Sequence, residues 1–320
     1  MTLPAADASI LEFGRTMVRD EARALDALAE SLGPEFERAC QLILDAKGKL
    51  IVSGLGKSGH IGRKIAATFA STGTTATFLH LSEAIHGDLG IADGGDVALL
   101  ISQSGQTAEL QPVIDHFDAI GVPIIAITGQ AGSMLGNAAA ASLILPHWLE
   151  VGPEAVAPTT STTMTLALGD ALAMTVMREK GFSRTDFGRI HPGGSLGIRL
   201  RPVKRLMHGG DKLPLVRADT SMHDAIMVMT EKRLGVVGVV DADGQLVGVI
   251  TDGDLRRNIE RGLDHPASAF MNDSPKLIAP DDLVDDALTL FEEHRITTLF
   301  VTEDGRPVGV VHIHDTPAAR

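Results

Sequence analysis

Three short stretches of this 320-residue chain bring small, hydroxyl-bearing and charged residues together in ways that suit a phosphate ester. The first, Gly54-Leu55-Gly56-Lys57-Ser58-Gly59, follows the apolar run Lys49 to Ser53 and precedes a helical pattern from His60 to Ser71. Its glycines let backbone approach a ligand, and the helix behind it offers unpaired N–H groups at the positive end of its dipole. The spacing is not that of a nucleotide P-loop, whose Lys-Ser pair comes later. It also lacks the acidic ribose contact that a dinucleotide fold places after its glycines. The second stretch is Ser102-Gln103-Ser104-Gly105-Gln106-Thr107. One hydroxyl suffices to cap a helix, whereas three around a glycine match a tetrahedral phosphate, which accepts several hydrogen bonds. The third, Val151 to Thr163, is another hydroxyl-rich approach to a helix and begins just after Glu150.

Positioning these loops requires regular elements on either side of each. Apolar residues recur at helical spacing from Ile10 to Ala46, punctuated by Gly33-Pro34. Short apolar runs at Thr75–His80, Val97–Ser102, Pro123–Thr128 and Ser142–Pro146 then alternate with helical patterns, and a long helix is expected over Thr162–Lys180. Strands alternating with helices predict right-handed βαβ units and an α/β fold whose parallel sheet is buried on both faces. Such sheets bind ligands beyond the carboxyl ends of their strands, where all three loops would sit.

The segment Gly181 to Leu206 is rich in Gly, Pro and Arg, and an internal repeat follows it. Met207–Asp254 and Met271–Asp315 share an order of features: Asp224-Ala225 answers Asp286-Ala287, Arg233 answers Arg295, and Val247-Gly248-Val249 answers Val308-Gly309-Val310. Units of this kind pack as a pair because neither buries its apolar face alone. The expected organisation is 1–46, helices packed on the first domain; 47–190, the domain carrying the three loops; 191–206, a site segment and linker; and repeats over 207–265 and 266–320.

Composition narrows the partners. A net charge of -13 repels nucleic acid and anionic lipid, so neither is expected. No apolar run approaches a membrane span, and Asp7, Glu12 and Arg15 interrupt anything resembling a leader, so a cytoplasmic location is expected. One cysteine, Cys40, precludes an intramolecular disulfide. An aromatic content of 3%, without tyrosine, disfavours ring stacking as the means of holding a ligand.

Ser-x-Ser-Gly-x-Thr after a strand resembles the phosphosugar loop of the sugar isomerase (SIS) domain. Gly56-Lys-Ser-Gly-His-Ile-Gly-Arg-Lys64, Ala67-Thr-Phe-Ala-Ser-Thr-Gly73, His86-Gly-Asp-Leu-Gly90 and His191-Pro-Gly-Gly-Ser-Leu-Gly197 are similar to the arabinose 5-phosphate isomerase family. The duplicated tail resembles the cystathionine-β-synthase (CBS) pair which that family carries. The resemblance implies an SIS-type, flavodoxin-like parallel-sheet sandwich followed by two βαββα-like CBS repeats. It implies that Ser102, Ser104 and Thr107 hold phosphate, with Ser58, Gly73, Thr74 and His86 also binding substrate, and that Lys57, Glu109, Glu150 and His191 are the catalytic residues. His80 matches a position linked to divalent-metal binding, zinc in particular, though no cofactor is required. Thr251 and Asp254 fit the CBS nucleotide pattern, for an adenine nucleotide or an end product such as CMP-Kdo, while His312 replaces the hydroxyl in the second repeat. A homotetramer is expected.

The chemistry so implied makes sense of the residue types. Interconverting D-ribulose 5-phosphate and D-arabinose 5-phosphate moves a proton between C1 and C2 through an enediol(ate). That needs a base within hydrogen-bond reach and cationic or hydrogen-donating groups at the developing oxyanion. Glu109 or Glu150 would be the base, Lys57 the oxyanion partner, and His191 would open the ring or shuttle a hydroxyl proton. Glu154 stands where the family has leucine, which keeps an isomerase of another phosphosugar open. A non-catalytic phosphosugar-sensing regulator is the other alternative; the lack of a basic recognition helix in Ile10–Ala46 counts against it.

Overall fold

The computed structural model describes residues 9–191 and 193–316, apart from a few side chains within helices. The readings that fall on residues 1–8, including the leader, and on Pro192 of the His191 stretch lie outside them. The chain divides into two compact units between Phe182 and Ser183.

In the first unit, helix α1 (Ile10–Ser31) starts at Ser9, whose hydroxyl accepts from Glu12 N at 3.2 Å. Helix α2 (Pro34–Asp45) opens on a proline, which has no N–H to leave unpaired. Then β1 (Leu50–Gly54), α3 (Gly56–Ser71), β2 (Ala76–His80), α4 (Leu81–Ala84), β3 (Val97–Ile101), α5 (Leu110–Ala119), β4 (Ile124–Thr128), α6 (Met134–Ala138), β5 (Ala141–Ile144) and α7 (Thr160–Glu179) alternate as expected. Helix α3 begins at Gly56, four residues before the expected His60, so Lys57 and Ser58 belong to its first turn rather than to a free loop.

All five strands are parallel, in the order β2-β1-β3-β4-β5. Each residue of β1, β3 and β4 is buried, which is why these strands read as unbroken apolar runs. Leu50, Val52, Leu99 and Ile125 face a core closed by α1, α2, α3 and α7. Their neighbours Ile51, Leu100 and Ala126 face a second core with α5 and α6. The sheet is thus covered on both sides, the layering expected of a flavodoxin-like sandwich.

Before β1 and β3, Asp96 ties the two strands together. Its carboxylate accepts from Lys49 N at 2.8 Å, Lys49 Nζ at 2.7 Å and Asp93 N at 2.9 Å, and it is 3% exposed. Burial alone would raise its pKa, but the Lys49 ammonium and the two amides outweigh that and hold it below the usual value.

The second unit contains α8 (Arg184–Ile190), α9 (Gly194–Arg199), β6 (Leu215–Arg217), α10 (Met222–Lys232), β7 (Val236–Val240), β8 (Leu246–Thr251), α11 (Asp252–Arg257), β9 (Leu277–Ile278), α12 (Val284–His294), β10 (Thr298–Glu303) and β11 (Arg306–His312). Each repeat forms its own three-stranded sheet, one parallel pair and one antiparallel pair. The paired arginines Arg233 and Arg295 end their helices in the left-handed conformation, at φ 59° and 50°.

Two boundaries differ from the linear reading. Helix α8, placed within 47–190 from sequence, groups with the second unit, where Arg184 pairs with Asp285 of α12. The repeats also exchange their leading segments. Val203 N donates to Asp282 O at 2.8 Å and His208 pairs with Val310, while Asn272 pairs with Val249. Met207 lies against Gly309 and Met271 against Gly248, so each Val-Gly-Val leaves room for the methionine that opens the other repeat.

Asp96→Ala is expected to lower stability by about 2–4 kcal/mol, because Lys49 and two amides lose a buried partner. A carboxylate with a depressed folded pKa stabilises fully above its unfolded value. That contribution fades as pH falls through the folded one. Chemical denaturation of both proteins should therefore show the wild-type advantage at neutral pH and its loss in acid below the usual carboxylate value.

Candidate active site

The order β2-β1-β3-β4-β5 reverses direction between β1 and β3, and a crevice opens there beyond the strand ends. The loop after β1 is short. Gly59 packs so closely on β1 that a Cβ there would lie 2.8 Å from Gly54 O. That approach sets the first turn of α3, with Lys57 and Ser58, over the end of the sheet.

The loop after β3 closes on itself. Ser102 Oγ and Thr107 Oγ1 are 2.9 Å apart, and Gly105 N donates to Ser102 Oγ at 3.1 Å. Gly105, at φ +61°, sits where a Cβ would strike Ser133 Oγ at 2.1 Å. Ser102 is buried, while Ser104 is exposed and, among the described residues, accepts only Gln106 N, at 3.3 Å. Helix α5 starts at Leu110, three residues past Thr107, so these hydroxyls are organised by a turn rather than by the helix terminus itself.

Glu150 leaves the strand ends from the other side and is anchored at the start of α7. Oε2 accepts from Thr159 N at 2.8 Å, Ser161 N at 3.1 Å and Thr159 Oγ1 at 3.3 Å, and Oε1 accepts from Ser161 Oγ. Burial pushes its pKa up. The Ser161 hydroxyl and the two amides push harder in the other direction, and the carboxyl is held below its usual value. The positive end of the α7 dipole acts in the same sense.

Two adjoining compartments share Leu55, Ser58, Ile101, Gln103, Leu145 and Glu150. The smaller, of about 220 Å³, adds Lys57, Ser161 and Thr162. The larger, of about 620 Å³, adds Ser102, Ser104, Thr107, Gln130, His147 and Trp148. One cleft therefore offers hydroxyls, a lysine and a fixed carboxylate within the volume range of small-molecule sites. Gln103 and Ser161 fall within stretches quoted from sequence without a role of their own, whereas Gln130, His147 and Trp148 were not singled out. His147 and Trp148 lie just beyond the C-terminal end of β5, where the parallel-sheet rule already pointed.

Within the first unit, Glu109, Gly73, Thr74, His80 and His86 do not line this cleft. Glu109 caps α5 without a side-chain hydrogen bond among the described residues. Gly73 and Thr74 precede β2 at the opposite ends of the strands, with Thr74 Oγ1 accepting from Lys180 Nζ at 2.9 Å. They are placed there because they close the α3–β2 turn, and within one chain they cannot reach Ser104. His80 ends β2 and accepts Ser82 N at 3.3 Å, and His86 is exposed beyond α4. Among the described residues, no three His, Cys, Asp or Glu side chains are grouped to hold a metal. His191 belongs to the second unit, stacked on Phe187 with ring centroids 3.8 Å apart. Glu154 lines neither compartment.

In the tail, Thr251 and Asp254 satisfy one another. Asp254 Oδ2 accepts Thr251 N at 2.9 Å and Thr251 Oγ1 at 2.6 Å, and Arg257 pairs with Oδ1. His312 and Asp315 repeat this cap at the end of β11, and Asp315 also meets His208 Nε2 at 3.0 Å.

Removing the Ser161 hydroxyl tests how Glu150 is held. In Ser161→Ala, the Glu150 carboxyl should titrate at higher pH than in the wild type, read by carbon NMR of labelled glutamate. An unchanged titration would show that the two amides suffice.

Comparison with known proteins places these features. The SIS domain family matches residues 42–175, and the CBS domain family matches 203–261 and 267–315. The arabinose 5-phosphate isomerase KdsD of Pseudomonas aeruginosa is 44% identical over 300 residues, 92% of this chain and 92% of its own. The arabinose 5-phosphate isomerase GutQ of Salmonella typhi is 43% identical, over 96% of this chain and 97% of its own. A solved structure from E. coli CFT073, in complex with A5P, is 37% identical and superimposes with a TM-score of 0.56, covering 57% of this chain and 97% of that one. With relatives this similar along nearly the whole of both chains, this protein belongs to the arabinose 5-phosphate isomerase family, an SIS domain followed by a CBS pair.

Proposed function

We propose that this protein interconverts D-ribulose 5-phosphate and D-arabinose 5-phosphate. The observation that carries the reading is the cleft at the β1/β3 crossing, which gathers Ser102, Ser104 and Thr107 with Lys57 and Glu150. Its occurrence in a chain 44% identical to an arabinose 5-phosphate isomerase supports this particular pair of sugars.

Phosphate would dock on the β3 loop, where Ser104 is exposed and its hydroxyl is able to donate, and where a glycine lets backbone approach. The sugar carbons then extend toward the compartment lined by Lys57 and Glu150. Lys57 is suited to stabilise the negative oxygen of the enediolate. Glu150 is less suited to take a proton, since four hydrogen bonds hold it as the anion. It orients a sugar hydroxyl or balances the lysine charge. Glu109 makes no side-chain hydrogen bond among the described residues, and we assign it the role of base, with His191 assisting ring opening or hydroxyl proton transfer.

His86 and His191 would join the site from neighbouring chains of a homotetramer with two-fold axes. The reaction as drawn needs no metal, and zinc at His80 would require further ligands from another chain. We place the enzyme in the cytoplasm, feeding Kdo for lipopolysaccharide. No described helix is long and apolar enough to cross a membrane, which fits that placement. A nucleotide or CMP-Kdo at Thr251 and Asp254 would act as a regulator only by binding one activity state better than another.

Turnover on a panel of pentose and hexose phosphates should single out the ribulose–arabinose pair. Ser104→Ala should weaken substrate binding by about 1–3 kcal/mol, seen as a higher KM. Unchanged KM and kcat would remove Ser104 from the site. For assembly, mixing inactive His191→Ala chains with inactive Lys57→Ala chains should restore partial activity. Full activity of the wild type as a dilute monomer in sedimentation would contradict the shared site.

A further inference from the structure

The second unit holds a cleft of about 680 Å³ that the isomerase reading does not use. One wall is the α8 face carrying Thr185, Gly188 and Arg189, the floor is Leu200 to Pro202, and the other wall carries Lys204, Arg205 and Asp281. Four cationic side chains, Arg189, Arg201, Lys204 and Arg205, line this one opening in a chain whose net charge is -13. From Ser183 to Leu206 there are six Lys or Arg residues and one acid, Asp186, against 28 basic and 41 acidic residues in the whole chain. Such a local reversal of sign attracts anions despite the overall charge.

The walls are fixed by backbone. Gly188 lies so near Leu200 that a Cβ would be 2.6 Å from its carbonyl oxygen, which sets α8 against the floor. Val203 N donates to Asp282 O at 2.8 Å, and Lys204 N to Pro280 O at 3.0 Å, fixing the far wall to the second repeat. Arg184 and Arg199 are both engaged by Asp285. Arg189 meets Asp186 at 3.0 Å with its side chain 74% exposed, and Lys204 meets Asp281 at 2.5 Å. Arg205 is exposed and has no ion-pair partner among the described residues.

We propose that this cleft binds a diphosphate or triphosphate group, at a site distinct from Thr251–Asp254 and from the sugar cleft. Forked guanidinium donors from two walls suit a ligand that presents several anionic oxygens along a chain. The volume suits a phosphate chain with a small organic group attached. The proposal does not rest on the isomerase activity.

The test is calorimetric titration of pyrophosphate and tripolyphosphate into the full-length protein at low salt, with phosphosugar present to occupy the first cleft. Binding is expected for both, at least about tenfold tighter than for inorganic phosphate, and weakening as salt rises. Arg205→Ala and Arg189→Ala, each checked by thermal melting, should each weaken binding about tenfold, the scale of one charge-assisted contact. Thr251→Ala should leave it unchanged. Absence of binding at millimolar concentration would overturn the proposal. So would binding that survives both arginine variants, or that disappears only in Thr251→Ala.

Discussion

The site depends on how closely glycine backbone packs against its neighbours in the loops after β1 and β3. Gly59 against Gly54 O, and Gly105 against Ser133, are contacts that no Cβ would allow. The first sets the turn of Lys57 and Ser58 over the sheet. The second lets the Ser102–Thr107 loop curl tightly enough for its outer hydroxyls to bond each other and leave Ser104 exposed. Both loops hang on strands buried on both faces, so the packing of two cores is transmitted directly to the geometry of a small cleft.

Electrostatics is arranged locally, against the sign of the whole. The cleft meets its ligand with hydroxyls, amides and one lysine, and it also contains a carboxylate. Glu150 is tolerated there because α7 supplies two amides, two hydroxyls and a helix dipole to it. The same saturation that keeps it ionised makes it a reluctant proton acceptor, which is why the proposed base is Glu109 instead. The arginines concentrated between Ser183 and Leu206 are handled differently: Asp285 engages two, while others face a separate cleft.

Strand and helix alternation, the layering and the repeat were legible because period and burial are written directly into residue type. Val97–Ile101 reads as an interior strand because every position is buried. The Ser102–Thr107 loop was legible as a cleft-lining segment because it follows an apolar strand, where parallel sheets place their ligand sites. The start of α3 was not, since glycines at Gly56 and Gly59 look like loop until their contact with β1 is known. His147 and Trp148 were missed because nothing in their local sequence marks them; only the end of β5 brings them to the cleft. The exchange of leading segments between the repeats was equally hidden, because a linear alignment of repeats is silent about which copy each segment packs on. Gly73 and Thr74 came from resemblance alone, and one chain places them at the wrong end of the strands for Ser104.

The central claim is proton transfer between C1 and C2 of a pentose phosphate bound in this cleft. Its most direct test is to incubate the protein with D-arabinose 5-phosphate in heavy water and follow both sugars by proton NMR. The account predicts conversion to D-ribulose 5-phosphate with solvent deuterium entering at C1, because an enediolate exchanges its proton through a side-chain base. No conversion, or conversion that retains the original hydrogen throughout and so indicates a hydride shift, would contradict it.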